Sequence, residues 1–188
     1  MVDRWKRLSK GQKLLATLAF AVLFLIAVVA LPAAAWVIGT ESISGTSDAE
    51  FCGGCHTMQP FTEANADNTH GGDNQWGIKA ECVDCHLPHD NALNYLVSKV
   101  RRGTYDIWYQ TFHDTSDIDW KAKDDDREEF LFDSGCLTCH DQLESATAGL
   151  PPHDNYFAGV TESKCVTCHN NVGHSNINKY LLEHKYRP

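Results

Sequence analysis

The sequence predicts a mostly α-helical chain with extensive irregular loops, in which one N-terminal membrane-spanning helix precedes a larger external domain. Two observations support this prediction. An uncharged apolar run extends from Leu14 to Ile38, and the rest of the chain holds four copies of one cysteine–histidine motif. Glycine, asparagine and aspartate interrupt the external part repeatedly, which favours short helices and turns over long regular elements.

The apolar run from Leu14 to Ile38 is long enough to cross a bilayer, since a spanning helix needs about 20 apolar residues. Arg4, Lys6, Arg7, Lys10 and Lys13 precede the run. No lysine or arginine follows it until Lys79. By the positive-inside rule, this asymmetry places residues 1–13 in the cytoplasm.

We expect residues 14–38 to be an uncleaved anchor helix and residues 39–188 to form a domain on the far side of the membrane. The alternative is a cleaved signal peptide, because Ala33, Ala34 and Ala35 resemble a cleavage site. The apolar run is longer than the usual hydrophobic region of a signal peptide, which favours the anchor.

The charge of the chain divides at the same boundary. Residues 1–13 carry five basic and one acidic side chain, a net charge of +4, so the −9 of the whole chain leaves −13 for residues 14–188. An acidic external domain excludes a nucleic-acid partner, because phosphate contacts need a basic surface. It is compatible with a basic soluble partner.

The four copies of the motif all read C-x-x-C-H, the attachment signature of a c-type haem. Two thiols three residues apart lie on one face of a helical turn, and the histidine that follows is the proximal iron ligand. A zinc ribbon or disulfides are the alternatives, but neither needs a histidine after every second cysteine. The motif cysteines are Cys52, Cys55, Cys82, Cys85, Cys136, Cys139, Cys165 and Cys168, and the motif histidines are His56, His86, His140 and His169. The motifs use all eight cysteines, so we predict four covalent haems and an electron-transfer function.

The motif spacing suggests a two-fold internal repeat. Cys82 follows Cys52 by 30 residues, and Cys165 follows Cys136 by 29. The predicted halves cover about residues 48–90 and 133–175, and each holds two motifs. Because the sequence of the external domain has few long apolar runs, we expect the haems to form most of its core. Without haem the external domain should not fold.

Six histidines lie outside the motifs, and a low-spin haem needs a second axial ligand, commonly histidine. His70 and His153 are favoured because they occupy equivalent places in the repeat, and His174 is a third candidate. His184, near the C-terminus, is expected to be solvated. The six are His70, His89, His113, His153, His174 and His184.

Met58 makes the first motif different from the others. It lies two residues after His56, so the two do not share a helix face and would compete for the same side of one iron. Methionine ligation raises a haem potential, and a five-coordinate haem leaves room for a substrate. The alternative is that Met58 is a core residue near the porphyrin.

Two helices are predicted between the repeat halves. Leu93, Leu96, Val97 and Val100 recur at helical spacing, which predicts a helix over residues 92–111 capped by Asp90 or Asn91. A second, mostly solvated helix is expected over residues 119–132.

The chain resembles the NapC/NirT/NrfH family of membrane-anchored tetrahaem quinol dehydrogenases. The resemblance rests on the anchor, the four paired motifs and three phrases. These phrases are Thr69-His70-Gly71-Gly72, Cys85-His86-Leu87-Pro88-His89 and Asn171-Val172-Gly173-His174. Members of the family take electrons from quinol in the bacterial cytoplasmic membrane and pass them to a periplasmic reductase or another soluble redox protein.

The resemblance implies roles for individual residues. His70, His153 and His174 would be the distal ligands of the fourth, second and third haems. The first haem would lie nearest the membrane, held by Met58 or His56, with Asp106 over its open face. Lys99 and Asp106 would serve quinol binding and proton acceptance.

The implied function is quinol oxidation by an inner-membrane protein with a periplasmic haem domain, which uses menaquinol or ubiquinol and assembles with its reductase. The alternative function is a tethered electron carrier without a quinone site. A histidine at position 153 favours the NapC branch or a general-purpose quinol dehydrogenase, since some nitrite-reductase partners borrow a lysine there.

Overall fold

The computed structural model describes residues 9–116 and 118–186. Over these residues the chain is helical with irregular connections and forms no β-strand, as predicted. It divides into two compact units, the first ending at Thr46 and the second beginning at Ser47. Arg4, Lys6 and Arg7, on which the predicted orientation partly rests, lie outside the described residues.

The first unit is a single helix, Lys10–Ser44, which is long and apolar enough in its 35 residues to cross a membrane. Ser9 begins it with a capping box, in which the Ser9 Oγ accepts from the Gln12 amide and the Gln12 side chain accepts from the Ser9 amide. The helix is longer at both ends than the predicted span of residues 14–38. Its segments are α1 (Lys10–Leu25), a π-helical stretch (Ile26–Ala30) and α2 (Leu31–Ser44).

The second unit contains mostly short helices. Over the described residues they are, in chain order, α3 (Ala49–Cys52), α4 (Gln59–Ala66), α5 (Cys82–His86), α6 (Ala92–Phe112), α7 (Trp120–Asp125), α8 (Asp133–Cys139), α9 (Leu143–Ala146), α10 (Pro151–Phe157), α11 (Cys165–Cys168) and α12 (Ile177–Tyr186). Three 3₁₀ turns add to them, at His56–Met58, Thr69–Gly71 and Arg127–Glu129.

The longest of these helices, α6, confirms the helix predicted over residues 92–111. Asn91 caps it by accepting a hydrogen bond of 2.9 Å from the Asn94 amide. The helix predicted over residues 119–132 is shorter than expected, because α7 ends at Asp125 and only a 3₁₀ turn follows.

Packing between protein side chains is sparse in the second unit. Among the described residues the buried hydrophobic side chains are Ala64, Leu87, Val166 and Tyr180. Tyr180 belongs to α12, which packs against α4, where Ala64 lies. So small a core agrees with the expectation that the haems supply most of the apolar interior.

Candidate haem sites

The second and fourth haem motifs lie on short, capped helical turns. The motif of α5 begins after Glu81, whose amide donates to the Asp84 carboxylate at 2.8 Å. In α11, the Lys164 amide donates to the Thr167 Oγ at 2.9 Å. These caps satisfy free amides and hold each pair of thiols on one turn. The first motif differs, because α3 ends at its first cysteine, Cys52.

The motifs adjoin one another in chain order. The Cys82 thiol lies close enough to Cys52 to be the main cause of the raised pKa of Cys52. The Cys165 thiol likewise lies close enough to Cys136 to lower the pKa of Cys136. Cys85 lies within electrostatic reach of Cys136, although burial is the main cause of its raised pKa, about 11. The first motif therefore adjoins the second, the second adjoins the third, and the third adjoins the fourth.

Each motif histidine faces one histidine from outside the motifs. The ring centres of His56 and His184 are 6.2 Å apart, those of His86 and His174 are 6.1 Å apart, those of His70 and His140 are 6.2 Å apart, and those of His153 and His169 are 6.2 Å apart. A metal–imidazole bond is about 2 Å long and the nitrogen lies about 1 Å from its ring centre, so one iron between two imidazoles separates the ring centres by roughly 6 Å.

In the pair formed by His86 and His174, both rings have the tautomer that iron ligation requires. The His86 Nδ1 lies 3.1 Å from the Phe130 carbonyl oxygen, and the His174 Nδ1 lies 2.9 Å from that of Phe61. A carbonyl only accepts, so each Nδ1 carries the proton and each Nε2 keeps a lone pair. Burial lowers the pKa of His86 to about 4 and also lowers the pKa of His174, which keeps both rings neutral.

Asparagine side chains position His70 and His174. The Asn65 Nδ2 donates to the Gly173 carbonyl at 3.0 Å, beside His174. The Asn68 Nδ2 donates to the Ser175 Oγ at 2.6 Å, while the Asn68 Oδ1 accepts from the His70 amide at 2.9 Å. Asn68 is buried, so these hydrogen bonds are shielded from water.

Asp133 holds His153 next to the fourth motif. Its carboxylate accepts from the Tyr156 hydroxyl at 2.8 Å, on the same helix as His153, and from the Cys165 amide at 3.1 Å. The His153 Nδ1 is buried without a hydrogen-bond partner.

The pairs differ from the predicted assignment at every distal position. His70 faces the third motif, not the fourth, His153 faces the fourth, not the second, and His174 faces the second, not the third. The assignment followed repeat symmetry and the family pattern. The structure departs from it because Asp133 keeps His153 within its own half, whereas the asparagine contacts join residues 65–70 to residues 171–175.

The expectation that His184 is solvated is wrong, since its side chain is only 10 % exposed and its ring faces His56. His184 is therefore a candidate ligand of the first haem, in addition to Met58 and His56. Met58 lies at the end of a 3₁₀ turn and is 37 % exposed. The sequence shows a histidine at position 184 but contains no signal that it folds back against the first motif.

Lys99 and Asp106 both lie beside the first motif. The Lys99 Nζ donates to the Ser47 Oγ at 2.6 Å, and Ser47 is buried immediately before the cap of α3. Burial lowers the pKa of Lys99, an effect that nearby Glu81 and Cys52 oppose. Desolvation by neighbouring atoms raises the pKa of Asp106, and the positive charge of Arg102 partly offsets this effect. Asp106 in turn adds to the raised pKa of Cys52, after the larger effects of Cys82 and burial.

A comparison with protein families identifies the chain. The model of the NapC/NirT cytochrome c family, N-terminal region, matches residues 13–179. The chain belongs to this family. It is therefore a c-type cytochrome of electron transport, and its N-terminal apolar helix fits a single-span membrane protein.

Several curated proteins are similar to the chain. The cytochrome c-type protein TorC of Escherichia coli (strain K12) is 30% identical over 183 residues, which cover 90% of this chain and 44% of TorC. The chain thus spans less than half the length of TorC. The tetraheme c-type cytochrome CymA of Shewanella oneidensis is 27% identical over 150 residues, with 71% and 79% of the two chains covered.

A solved structure shares the fold. It is a crystal structure of a cytochrome c nitrite reductase NrfHA complex bound to the HQNO inhibitor. The TM-score is 0.56 at 23% sequence identity, and the match covers 81% of this chain and 90% of the other. At this identity the similarity supports the fold alone.

Proposed function

We propose that this protein oxidises quinol of the bacterial cytoplasmic membrane and passes the electrons to a periplasmic reductase or another soluble redox protein. One observation carries the proposal. Lys99 and Asp106, seven residues apart on one face of α6, both lie within electrostatic reach of Cys52, where the first haem attaches. Asp106, a proton acceptor, and Lys99, a cationic hydrogen-bond donor, thus lie beside the first motif.

Four haems would be held by the eight motif cysteines and by paired histidines. The neutral, Nδ1-protonated rings of His86 and His174 would ligate the second haem. His140 with His70 would ligate the third haem, and His169 with His153 the fourth. When bound, the haems supply one-electron redox chemistry, which divides the two electrons of a quinol into single transfers.

Residues of the chain itself would accept a proton from the quinol and hold its oxygen by a hydrogen bond. A quinol loses two protons on oxidation, and Asp106 is the group beside the first motif that can accept one. Desolvation by neighbouring atoms raises its pKa, which makes the carboxylate a stronger base than an aspartate with an unshifted pKa. Lys99 holds its ammonium group on the same helix face, where it can donate a hydrogen bond to a quinol oxygen.

An apolar stripe on α6 supports access from the membrane. Its side chains are 39–73 % exposed and lie on a face of the helix separate from Lys99 and Asp106. They are Leu93, Leu96, Val97, Val100, Ile107 and Trp108. Such a stripe suits a helix that lies at a lipid surface, where quinol tails reside.

Substitution of Asp106 or Lys99 should slow quinol oxidation. Asp106→Asn keeps the size and removes the base, and we expect the rate to fall by about 100-fold or more, the usual contribution of a general base. Lys99→Met removes the donor, and we expect a loss of roughly tenfold, as for one hydrogen bond to a charged group. The measurement is haem reduction by a menaquinol analogue in proteoliposomes, with reduction by dithionite as the reference.

The same assay separates the proposal from the alternative. Lys121→Met and Asp125→Asn, at exposed positions of α7, are matched controls and should keep the wild-type rate. The wild-type rate should fall as the pH drops through the raised pKa of Asp106, because the protonated acid cannot accept a proton, and Asp106→Asn should lose this dependence. Wild-type quinol rates in both site variants would favour a tethered carrier without a quinone site.

The haem content has its own test. Four complete motifs use eight thiols, so the mature chain should carry four covalent haems and no free thiol. Intact-protein mass spectrometry measures the number of haem additions, and thiol alkylation counts the remaining cysteines. A mature mass with fewer than four haem additions would contradict the stoichiometry.

A further inference from the structure

We propose that Gln110 is a positioning residue of the quinol site, and that its hydrogen bond to Thr57 holds Asp106 beside the first motif. The inference rests on the proposed function. The Thr57 Oγ1 donates to the Gln110 Oε1 at 2.6 Å, in a partly buried position. Thr57 directly follows the motif histidine, His56, and Gln110 lies one helical turn after Asp106 on α6. The bond therefore joins the segment that carries the motif histidine to the segment that carries the proton acceptor.

Side-chain packing does not fix the position of α6. None of its 21 residues is buried. In the turns around and after Asp106, the side chains of Ile107, Trp108 and Phe112 are 48–71 % exposed. Exposed apolar side chains contribute little burial energy. Polar contacts therefore set where this helix lies relative to the first motif.

Two hydrogen bonds attach α6 on either side of the first motif. The Lys99 Nζ donates to the Ser47 Oγ at 2.6 Å, and Ser47 precedes the motif. Gln110 accepts from Thr57, which follows the motif. Lys99, Asp106 and Gln110 share one face of the helix, because they are separated by seven and four residues. Asp106 thus lies between the two attachments.

The Lys99 attachment alone does not fix Asp106, because Gly103 lies between them and glycine weakens a helix interior. Among the described residues, the bond of Gln110 is the only hydrogen bond, ion pair or ring contact that joins residues 103–112 to the chain outside α6 and its C-cap residue. A proton passes only between atoms about 3 Å apart, and a displacement of about 1 Å can cost about 100-fold in rate.

Loss of this hydrogen bond should lower kcat for quinol oxidation by about 10- to 100-fold and leave KM within about twofold, because Lys99 still binds the substrate. Thr57→Val and Gln110→Leu each remove one partner at nearly constant size. The assay uses the full-length haem protein in proteoliposomes with a menaquinol analogue, after mass spectrometry confirms four haems. Thr57→Ser keeps the hydroxyl group and should keep the wild-type kcat.

A double variant and hydrogen exchange give two further readouts. Thr57→Val combined with Gln110→Leu should be no slower than the slower single variant, because both substitutions remove the same interaction. The amides of residues 104–112 should exchange faster in each single variant, since the end of α6 is released. Thr104→Val is the matched control at an exposed position of α6, and it should keep the wild-type kcat and exchange.

The inference is overturned by wild-type kcat or wild-type exchange in Thr57→Val and Gln110→Leu, or by additive losses in the double variant. A raised KM at unchanged kcat also overturns it, since Gln110 would then bind the quinol directly. Asp106→Asn, assayed in parallel, separates these failures from a failure of the proposed function. If Asp106→Asn is slow, the proposed function stands without the inference, whereas a wild-type rate in Asp106→Asn overturns both.

Discussion

A chain in which all eight motif cysteines are replaced by serine should lose the fold of residues 47–188 and keep the helix of the anchor. Ordering a residue costs about 1–2 kcal/mol of backbone entropy. Packing between protein side chains buries only four hydrophobic residues in the described part of the chain, namely Ala64, Leu87, Val166 and Tyr180. So small a core cannot balance that cost without the apolar area of the haems.

Far-UV circular dichroism and limited proteolysis in detergent measure this effect. The serine variant should retain roughly the helicity of the 35-residue helix Lys10–Ser44, and proteases should degrade the rest. A variant with only Cys165 and Cys168 replaced is the graded control, because it should keep three haems and part of the external fold. Native-like helicity and protease resistance in the eight-serine chain would show that the protein core suffices alone.

Gly135→Ala should destabilise the protein by about 3 kcal/mol or more, at the upper end of the range for overpacked sites. A Cβ atom at Gly135 would lie 1.8 Å from the Asp84 carbonyl oxygen, a backbone atom of the second motif. Gly135 directly precedes the third motif, so the clash would force the second and third motifs apart. We expect fewer mature four-haem chains and a lower melting temperature.

Gly103→Ala is the matched control for this substitution. Gly103 lies within α6, and a Cβ atom there would have no neighbour within 4 Å. Alanine should stabilise the helix by up to about 1 kcal/mol, because glycine loses more conformational freedom on folding. Equal melting temperatures for Gly135→Ala and the wild type would mean that the two motifs do not need this close approach.

Local signals predicted the helices well where they were strong. The apolar spacing after Asn91 and its capping side chain predicted α6 nearly to the residue. The helix predicted over residues 119–132 is longer than the one that the structure contains. Few apolar side chains in this acidic stretch can pack against a neighbour, so the helix is short. The spacing of apolar residues therefore predicted a helix correctly only where those residues also formed a packed or amphipathic face.

Histidine pairing was beyond sequence reasoning. Repeat symmetry predicted that His70 and His153 would have equivalent roles, yet Asp133 and Asn68 hold them in different relations to the motifs. The role of Asp106 shows the same division. Its identity and its spacing from Lys99 were visible in the sequence, but its electrostatic contact with Cys52 depends on the packing of α6.

The sequence by itself determined the N-terminal apolar helix, the four C-x-x-C-H motifs and the family, because each depends on residues close together in the chain. Only the tertiary structure decided which distant histidine faces which motif. The reason is physical, since a contact such as that between His56 and His184 follows from the antiparallel packing of α12 on α4. That packing rests on side-chain contacts between segments that are far apart in the sequence.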